Sequence, residues 1–224
     1  MKIDPLVSVI MNCYNGDKYL HEAIDSVYAQ TYKNWEIVFW DNSSIDKSSK
    51  IAKTYDSKLK YFKSHEKTLL GQARVEAVKM AKGDYLAFLD VDDVWLDNKL
   101  EKQIRLFAEK QTEVGIVYGR TEVIFEDSIK DNYVLKEGNL LPEGNIFSEL
   151  AKECFIVFSS SMVDKKKFHL VGGFPSNFSY ATDYWIFLHL SRKYECFALQ
   201  EVCCKYRVHS SNLSNEKRTT AVKL

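Results

Sequence analysis

The sequence has no excess of charge of either sign, few prolines and glycines, and no long apolar run. Lysine plus arginine number 31 and aspartate plus glutamate also number 31, so a global basic field for nucleic acid is excluded. Three prolines, nine glycines and 46% hydrophobic residues, without repeats or low-complexity segments, exclude an intrinsically disordered chain. No stretch of about 18 apolar residues occurs, which excludes a membrane-spanning helix.

The cysteines are also few, and they lack the spacing of a metal site or a disulfide framework. Their number is odd and no Cys-x-x-Cys pair occurs, which favours reduced, mostly buried thiols. They are Cys13, Cys154, Cys196, Cys203 and Cys204. The first 16 residues do not have the form of a signal peptide. The sequence therefore predicts a cytoplasmic protein.

Short apolar runs alternate with helical periodicity through the first half of the chain. The runs predict strands at 7–11, 35–40, 59–62, 85–89 and 114–118. The helical patterns between them fall at 20–27, 48–55, 73–80 and 100–107, and Gly83 is predicted to cap the third helix in the left-handed conformation. Strands that alternate with helices run parallel with right-handed crossovers. An α/β fold with a mostly parallel, Rossmann-like sheet flanked by helices is expected.

Beyond residue 120 the order of elements is less regular. Strands are predicted at 123–125, 155–159 and 202–208, and a helix is predicted at 183–193. No linker separates this part from the first half, so we expect one continuous domain with a mixed C-terminal part packed on the same sheet.

Five carboxylates follow the predicted strands at the edge where a parallel sheet binds its ligands. They are Asp41, Asp46, Asp90, Asp92 and Asp93. Asp46 and Asp93 can equally be turn formers or helix caps. For Asp90 and Asp92, alternation along an extended segment brings both carboxylates to one side, which favours a site for Mg²⁺ or Mn²⁺.

The usual phosphate-binding loops are missing. No Gly-x-Gly-x-x-Gly follows the first strand and no Gly-Lys pair occurs, which argues against a dinucleotide site and excludes a P-loop. A metal that carries the charge of a diphosphate, on a fold of this type, points to a sugar nucleotide.

Two long segments carry a family resemblance: VSVIMNCYNGDKYLHEAIDSVYAQTYKNWEIVFWDNSSIDKS and LLGQARVEAVKMAKGDYLAFLDVDDVW. The chain resembles family 2 glycosyltransferases, inverting enzymes with a GT-A fold, most closely from Val7 to Phe107. The likeness continues through VGGF, TDYW and YRVHSSNLS. It implies a nucleotide-sugar-binding half at 1–120 and an acceptor-binding half at 121–224, with the acceptor side built mainly by 121–179.

The resemblance also implies roles for single residues. The implied nucleotide contacts are Cys13, Tyr14, Asn15, Asp41, Arg74 and Asp90, and the implied metal ligands are Asp92 and His209. Asp41 would accept the imino N–H of a pyrimidine, which favours uridine. Arg74 would approach the diphosphate or the base, the alternative being a surface salt bridge with Glu76 or Glu101. For His209, the alternative to metal ligation is a purely structural role.

The family usually has Glu-Asp where this chain has Thr182-Asp183, and its aspartate is taken as the catalytic base. A carboxylate at a helix start is stabilised in the ionised form that a base requires, although Asp183 can also serve as a helix cap. Other departures are Asn12 in place of a proline, Cys13 in place of a small polar residue and Val75 in place of asparagine. Cys13 is interpreted as a buried thiol, not as a nucleophile.

The function implied is transfer of a sugar, with inversion, from a nucleotide-sugar donor, most simply UDP-linked, to an acceptor hydroxyl in surface polysaccharide or glycan synthesis. A glycan or lipid-linked acceptor is expected, with peripheral contact to the inner face of the membrane. The run 165–167 of three lysines is interpreted as a solvated face, with contact to anionic lipid as the alternative. A sugar nucleotidyltransferase would need a basic glycine-rich loop, and a non-catalytic nucleotide-sugar binder remains an alternative because of Thr182. The oligomeric state is not predicted.

Overall fold

A computed structural model describes residues 4–110, 113–126 and 130–212. The first half alternates strands and helices as expected. Its elements are β1 (Val7–Cys13), α1 (Leu20–Tyr28), β2 (Trp35–Asp41), α2 (Ser48–Ala52), β3 (Leu59–Lys63), α3 (Leu70–Met80) and β4 (Tyr85–Phe88). β1 pairs in parallel with β2 and β4, and β2 pairs in parallel with β3. The predicted parallel sheet is thus confirmed, although α2 ends three residues earlier than expected.

The second half adds strands of mixed direction to the same sheet. Its elements are β5 (Val94–Trp95), α4 (Lys99–Glu109), β6 (Val114–Phe125), β7 (Tyr133–Val134), α5 (Phe147–Lys152), β8 (Met162–Asp164), α6 (Lys165–Leu170), α7 (Thr182–Ser191) and β9 (Glu195–Val208). The order across the sheet is β3-β2-β1-β4-β8-β6-β9-β5, with β7 paired to β6. Position 120 falls inside β6, so the two halves share one sheet.

The strand predicted at 155–159 is wrong. That segment is irregular and leads into a single 3₁₀ turn, Phe158–Ser160, and the strand of this region is β8. The serine hydroxyls favour the turn because they bond to nearby carbonyls: Ser160 Oγ donates to Val157 O and Ser161 Oγ to Phe158 O, each at 2.7 Å. β8 then pairs antiparallel with both β4 and β6 and so separates them.

Gly83 does not cap a helix, because α3 ends at Met80 and Gly83 does not adopt a left-handed conformation. Its N–H donates to Ser8 Oγ at 2.8 Å. A Cβ at this position would lie 2.6 Å from the backbone nitrogen of Ser8, so close approach to β1 is what requires glycine here.

The three lysines of 165–167 do not form one solvated face. Lys165 Nζ donates to the carbonyl of Ala81, and Lys167 Nζ donates to the carbonyl of Val114 at 2.9 Å, whereas Lys166 is exposed. Two of the three cations are therefore used to hold α6 against its neighbours.

Both faces of the sheet are covered. On one face Val9 and Met11 pack with Leu20 of α1, and on the other Ile10 packs with Ala77 of α3. Burial on both sides explains why β1 is an uninterrupted apolar run instead of an alternating one. The part of the chain that the structure describes contains no helix with the length and hydropathy needed to cross a bilayer.

Candidate active site

The loops at the carboxyl ends of β1 and β2 begin side by side, because Cys13 pairs with Asp41 in the parallel register. Cys13 is buried, and this burial raises the pKa of its thiol to about 11. At neutral pH it is therefore a protonated, inert thiol, as the sequence indicates. Its place beneath the two loops makes it part of their support.

The two loops are locked together by hydrogen bonds around Asn15, which adopts a left-handed backbone with φ of 55°. Asn15 N–H donates to Ser44 Oγ at 3.0 Å, and Asn15 Oδ1 accepts from Ile45 N–H at 3.0 Å. Gly16 N–H donates to Ser48 Oγ at 3.0 Å. Asn15, implied as a nucleotide contact, thus has its side-chain carbonyl engaged in shaping the rim of the site.

Asp41 is fully buried at the end of β2. Its Oδ1 accepts from Ser44 N–H at 2.7 Å, and its Oδ2 accepts from Tyr61 Oη at 2.6 Å. Lys63 Nζ lies 3.9 Å from the same Oδ2. Each carboxylate oxygen can accept a second hydrogen bond. Contact with a nucleotide base stays a prediction, and it requires one of these remaining lone pairs to be reached.

Tyr14 is exposed at this end of the site, with 43% of its surface accessible. Lys67 Nζ lies 3.6 Å from the centre of its ring, a cation–π contact that holds the ring in place. An exposed aromatic face beside Asp41's loop is suited to stacking on a base.

Two of the five carboxylates are engaged in hydrogen bonds that support the structure around the site. Asp46 accepts from the backbone N–H groups of Asp17 and Ser48, each at 2.9 Å. Burial alone would raise the pKa of Asp46, but these bonds outweigh it and the pKa is lowered. Asp93 is fully buried and accepts from Ser159 Oγ at 2.5 Å, and burial raises its pKa. Asp46 thus acts as the turn-forming interpretation describes, whereas the hydrogen bonds of Asp93 are tertiary, to Ser159 Oγ and to the backbone N–H of Arg207.

Asp92 and His209 meet, although 117 positions separate them in the sequence. His209 Nε2 lies 3.0 Å from Asp92 Oδ2. Asn212, which the sequence analysis missed, donates from Nδ2 to the same oxygen at 3.3 Å and accepts from His209 N–H at 2.6 Å. The sequence feature that could have identified Asn212 is its position three residues after His209 in YRVHSSNLS.

The Asp92–His209 pair is compatible with a divalent cation. Two neighbouring ligands of a six-coordinate ion with bonds of about 2.1 Å lie roughly 3 Å apart, which matches the separation of these oxygen and nitrogen atoms. Among the described residues, no group of three or more His, Cys, Asp or Glu side chains forms a metal site. The protein would therefore supply only part of a coordination shell, as Mg²⁺ sites that also bind phosphate do.

Arg207, also missed from the sequence, buttresses this pair. Its Nε donates to the carbonyl of Asp92 at 2.9 Å, and its guanidinium donates to Glu22 Oε2 at 2.5 Å. The guanidinium carbon lies 4.5 Å from the ring centre of Tyr19, and that ring lies 5.2 Å from His209. These contacts fix β9 against α1 and so hold His209 over the loop that carries Asp92.

Arg74 of α3 occupies the centre of the site and is only 5% exposed. Its Nη2 lies 3.6 Å from Asp90 Oδ1, and its Nη1 lies 4.0 Å from Asp183 Oδ1. The guanidinium carbon sits 3.8 Å over the ring of Phe158. A surface salt bridge with Glu76 or Glu101 is therefore wrong, because the side chain points inward.

Asp90 has a raised pKa because its carboxylate is poorly hydrated, an effect that Arg74 opposes and the charges of Asp92 and Asp183 reinforce. Its side chain is nevertheless 40% exposed, so a ligand can reach it. Excess negative charge at this point favours a bound cation.

Asp183 lies in the first turn of α7. The N-cap position belongs to Ala181, which has a left-handed φ of 52° and makes no side-chain capping bond. The carboxylate of Asp183 is one-third exposed and faces Arg74. A carboxylate turned toward the site, and not toward the helix amides, favours the catalytic interpretation over the capping one.

A model of the family described as "Glycosyl transferase family 2" matches residues 8–172. The chain belongs to this family. A curated relative, the UDP-Glc:alpha-D-GlcNAc-diphosphoundecaprenol beta-1,3-glucosyltransferase WfgD of Escherichia coli, is 32% identical over 217 residues, covering 96% of this chain and 81% of WfgD. The expected glycosyltransferase is thereby confirmed, and the nucleotidyltransferase and the non-catalytic binder are not favoured.

Solved structures confirm the GT-A type fold of this family 2 glycosyltransferase. TarS of S. aureus in complex with UDP-GlcNAc superposes with a TM-score of 0.74 at 17% identity, covering 92% of this chain and 59% of TarS. The mannosyltransferase PcManGT of Pyrobaculum calidifontis, in complex with GDP-Man and Mn²⁺, superposes with a TM-score of 0.68 at 19% identity, covering 98% of this chain and 62% of PcManGT. The chain thus spans about three fifths of these two proteins.

Proposed function

We propose that the chain transfers a sugar from a UDP-sugar to an acceptor hydroxyl with inversion at the anomeric carbon. The observation that carries this proposal is the arrangement around Arg74, which has Asp90 at 3.6 Å on one side and Asp183 at 4.0 Å on the other. The guanidinium thus lies between Asp90, assigned to the donor, and Asp183, assigned as the base. This arrangement suits a single displacement, because the base and the departing diphosphate must lie on opposite sides of the reacting carbon.

Asp183 is the general base in this scheme. It takes the proton of the acceptor hydroxyl, the acceptor oxygen forms its bond to the anomeric carbon, and the bond from that carbon to the diphosphate oxygen breaks with its electron pair going to the diphosphate. The transition state has oxocarbenium character, as in glycoside hydrolysis. A diphosphate is a good leaving group, so the scheme needs no general acid.

Arg74 contributes its positive charge from a buried position, where such a charge stabilises developing negative charge more effectively than in water. Asp92 and His209 would hold a Mg²⁺ or Mn²⁺ ion. When bound, that ion supplies Lewis-acid neutralisation of the diphosphate. PcManGT, which shares the fold, was solved with Mn²⁺, and this supports a divalent cation here.

The donor nucleotide and the acceptor are proposed from the relatives together with the site. WfgD is named for UDP-Glc and a diphosphoundecaprenol-linked acceptor, and TarS was solved with UDP-GlcNAc. Both names support UDP, and the first supports a lipid-linked acceptor in surface polysaccharide synthesis. We place the 121–224 half on the acceptor side and the reaction at the cytoplasmic face of the membrane, with the exposed Lys166 and Leu170 of α6 available for peripheral contact.

The test compares Asp183→Asn with Asp56→Asn in transfer assays with UDP-sugars and Mn²⁺. Asp56 is a control carboxylate with a structural role: it precedes β3 and accepts from Lys58 N–H at 2.8 Å and from Tyr28 Oη at 2.7 Å. Asp183→Asn should lose roughly two to four orders of magnitude in transfer with little change in UDP affinity, the effect of removing a positioned base. Asp56→Asn should transfer normally. Near-normal transfer by Asp183→Asn would contradict the base assignment.

A further inference from the structure

Thr182 is buried next to the proposed base, and its hydroxyl accepts a hydrogen bond from Arg74. It is the first residue of α7, it is 0% exposed, and its Oγ1 accepts a hydrogen bond from Arg74 Nη1. This bond joins α3 to the start of α7 across 108 positions of sequence. It lies beside the ion pair between Arg74 and Asp183, which uses the same Nη1 atom.

Without Thr182, little else fixes the direction of this guanidinium. Its carboxylate neighbours are at 3.6 and 4.0 Å, too far for hydrogen bonds of normal length. Its Nε is buried with no hydrogen-bond partner among the described residues. The rings of Phe158 and Phe174 lie 3.8 and 5.7 Å from the guanidinium carbon and support it, but they do not determine its rotation in its own plane. The hydrogen bond to the hydroxyl of Thr182 determines this rotation.

The neutrality of this contact has an electrostatic consequence. A carboxylate at position 182 would pair with Arg74 at close range and offset most of its charge, because opposite charges within about 4–6 Å stabilise each other strongly at a buried position. A hydroxyl holds the same nitrogen without adding charge. The positive charge of Arg74 therefore remains shared between Asp90 and Asp183.

We propose that Thr182 is a positioning residue that holds the guanidinium of Arg74 between Asp90 and Asp183 while leaving its charge available to both. The proposal rests on the proposed function, because it assigns Thr182 a role in the same transfer reaction. Loss of the hydroxyl lets Arg74 turn onto Asp183 and pair with it directly, which makes that carboxylate a weaker base. Donor binding is weakened less, because Asp90 and the loops that follow β1 and β2 remain in place.

The experiment measures kcat, the donor KM, UDP affinity by calorimetry and Tm for three variants. Thr182→Val removes the hydroxyl and keeps the shape, and Thr182→Ser keeps the hydroxyl. Ser8→Ala is the matched control, because Ser8 is equally buried and its Oγ donates to Glu36 Oε1 at 2.8 Å at the other end of β1. It removes a charge-assisted hydrogen bond remote from the site.

Thr182→Val should lower kcat by about 10- to 100-fold, the effect of one hydrogen bond to a charged group, with the donor KM and the UDP affinity changed less than about threefold. Thr182→Ser should recover kcat to within about threefold of the parent. Ser8→Ala should lower Tm without lowering kcat in this way. An unchanged kcat in Thr182→Val, or no recovery in Thr182→Ser while Tm is normal, overturns the proposal. Absence of transfer in the parent protein overturns the proposed function instead.

Discussion

The substitution Asp41→Asn tests whether the buried carboxylate at the end of β2 reads the base of the donor. Uracil presents an imino N–H where cytosine presents a bare ring nitrogen. A carboxylate can only accept a hydrogen bond, whereas an amide can also donate one. If Asp41 contacts the base, the aspartate selects UDP and the asparagine should favour CDP.

The structure permits this change at moderate cost. The amide oxygen of asparagine can keep the 2.7 Å bond from Ser44 N–H, and the amide nitrogen can donate to Tyr61 Oη, whose own proton can turn to Ser49 Oγ at 2.9 Å. No buried polar group is left without a partner. Two charge-assisted bonds become neutral ones, which we expect to lower the free energy of unfolding by about 1–3 kcal/mol.

The assay is competition calorimetry with UDP, CDP and GDP in Mn²⁺, together with urea unfolding. The parent should prefer UDP over GDP, and Asp41→Asn should lower the ratio of UDP to CDP affinity by at least about tenfold, the equivalent of roughly 1.4 kcal/mol. Tyr61→Phe is the control, since it removes one bond to the carboxylate but leaves the charge, and it should reduce stability without altering base preference. An unchanged UDP to CDP ratio in a less stable Asp41→Asn protein would show that Asp41 only holds Ser44 and Tyr61.

Two further predictions concern the metal pair and a buried lysine. Asp92→Asn and His209→Gln should each weaken Mn²⁺-dependent UDP binding at least about tenfold in calorimetry, and equal UDP affinity of the parent with and without chelator would exclude this metal site. Lys99 is fully buried against Trp95, and burial lowers its pKa to about 8. Between pH 8 and 10, residue 99 therefore binds more protons in the unfolded chain than in the folded one. By itself Lys99 should make stability rise with pH by up to about 1.4 kcal/mol per unit, whereas buried thiols with a raised pKa, such as Cys13, act in the opposite direction. In urea unfolding, the unfolding free energy of the parent minus that of Lys99→Met should therefore rise with pH over this range. The comparison is between two proteins because buried thiols, among them Cys203 and Cys204 beside the same ammonium group, contribute to the pH dependence of both. An identical pH dependence in the two proteins would refute the assignment.

The longest apolar runs in the first half of the sequence belong to strands that are buried almost throughout. The apolar runs of β1, β2 and β4 are covered on both faces, so each gives a continuous signal that composition alone reveals. β8 has only three residues, and its place between β4 and β6 depends on partners such as Tyr85, which is 79 positions from Asp164. A segment this short carries no periodicity, and the apolar residues just before it gave the false strand at 155–159.

The candidate site could likewise be predicted from the sequence only in part. The positions of Asp41, Asp90 and Asp92 could be inferred because parallel strands bring their ends to one edge. The side chains that contact them could not be inferred in the same way, because Tyr61 and Arg207 reach them through tertiary packing and have no local signature. The burial of Arg74 could not be predicted for a related reason. An amphipathic helix pattern does not indicate whether a charged residue at the edge of the apolar face points to solvent or packs on an aromatic ring, as Arg74 does on Phe158.

The geometry between Arg74 and Asp183 is determined by backbone contacts as well as by side chains. Gly71, one turn before Arg74, donates its N–H to Phe178 O at 2.8 Å, and a Cβ at Gly71 would lie 1.9 Å from the carbonyl oxygen of Pro175. The start of α3 is therefore in direct contact with the segment that leads into α7. Because this close approach requires residue 71 to lack a side chain, the backbone contact constrains the separation of Arg74 from Asp183, the proposed base. In the proposed reaction, this contact between the two segments would hold Arg74, on the donor side, and Asp183, on the acceptor side, in a defined relative position.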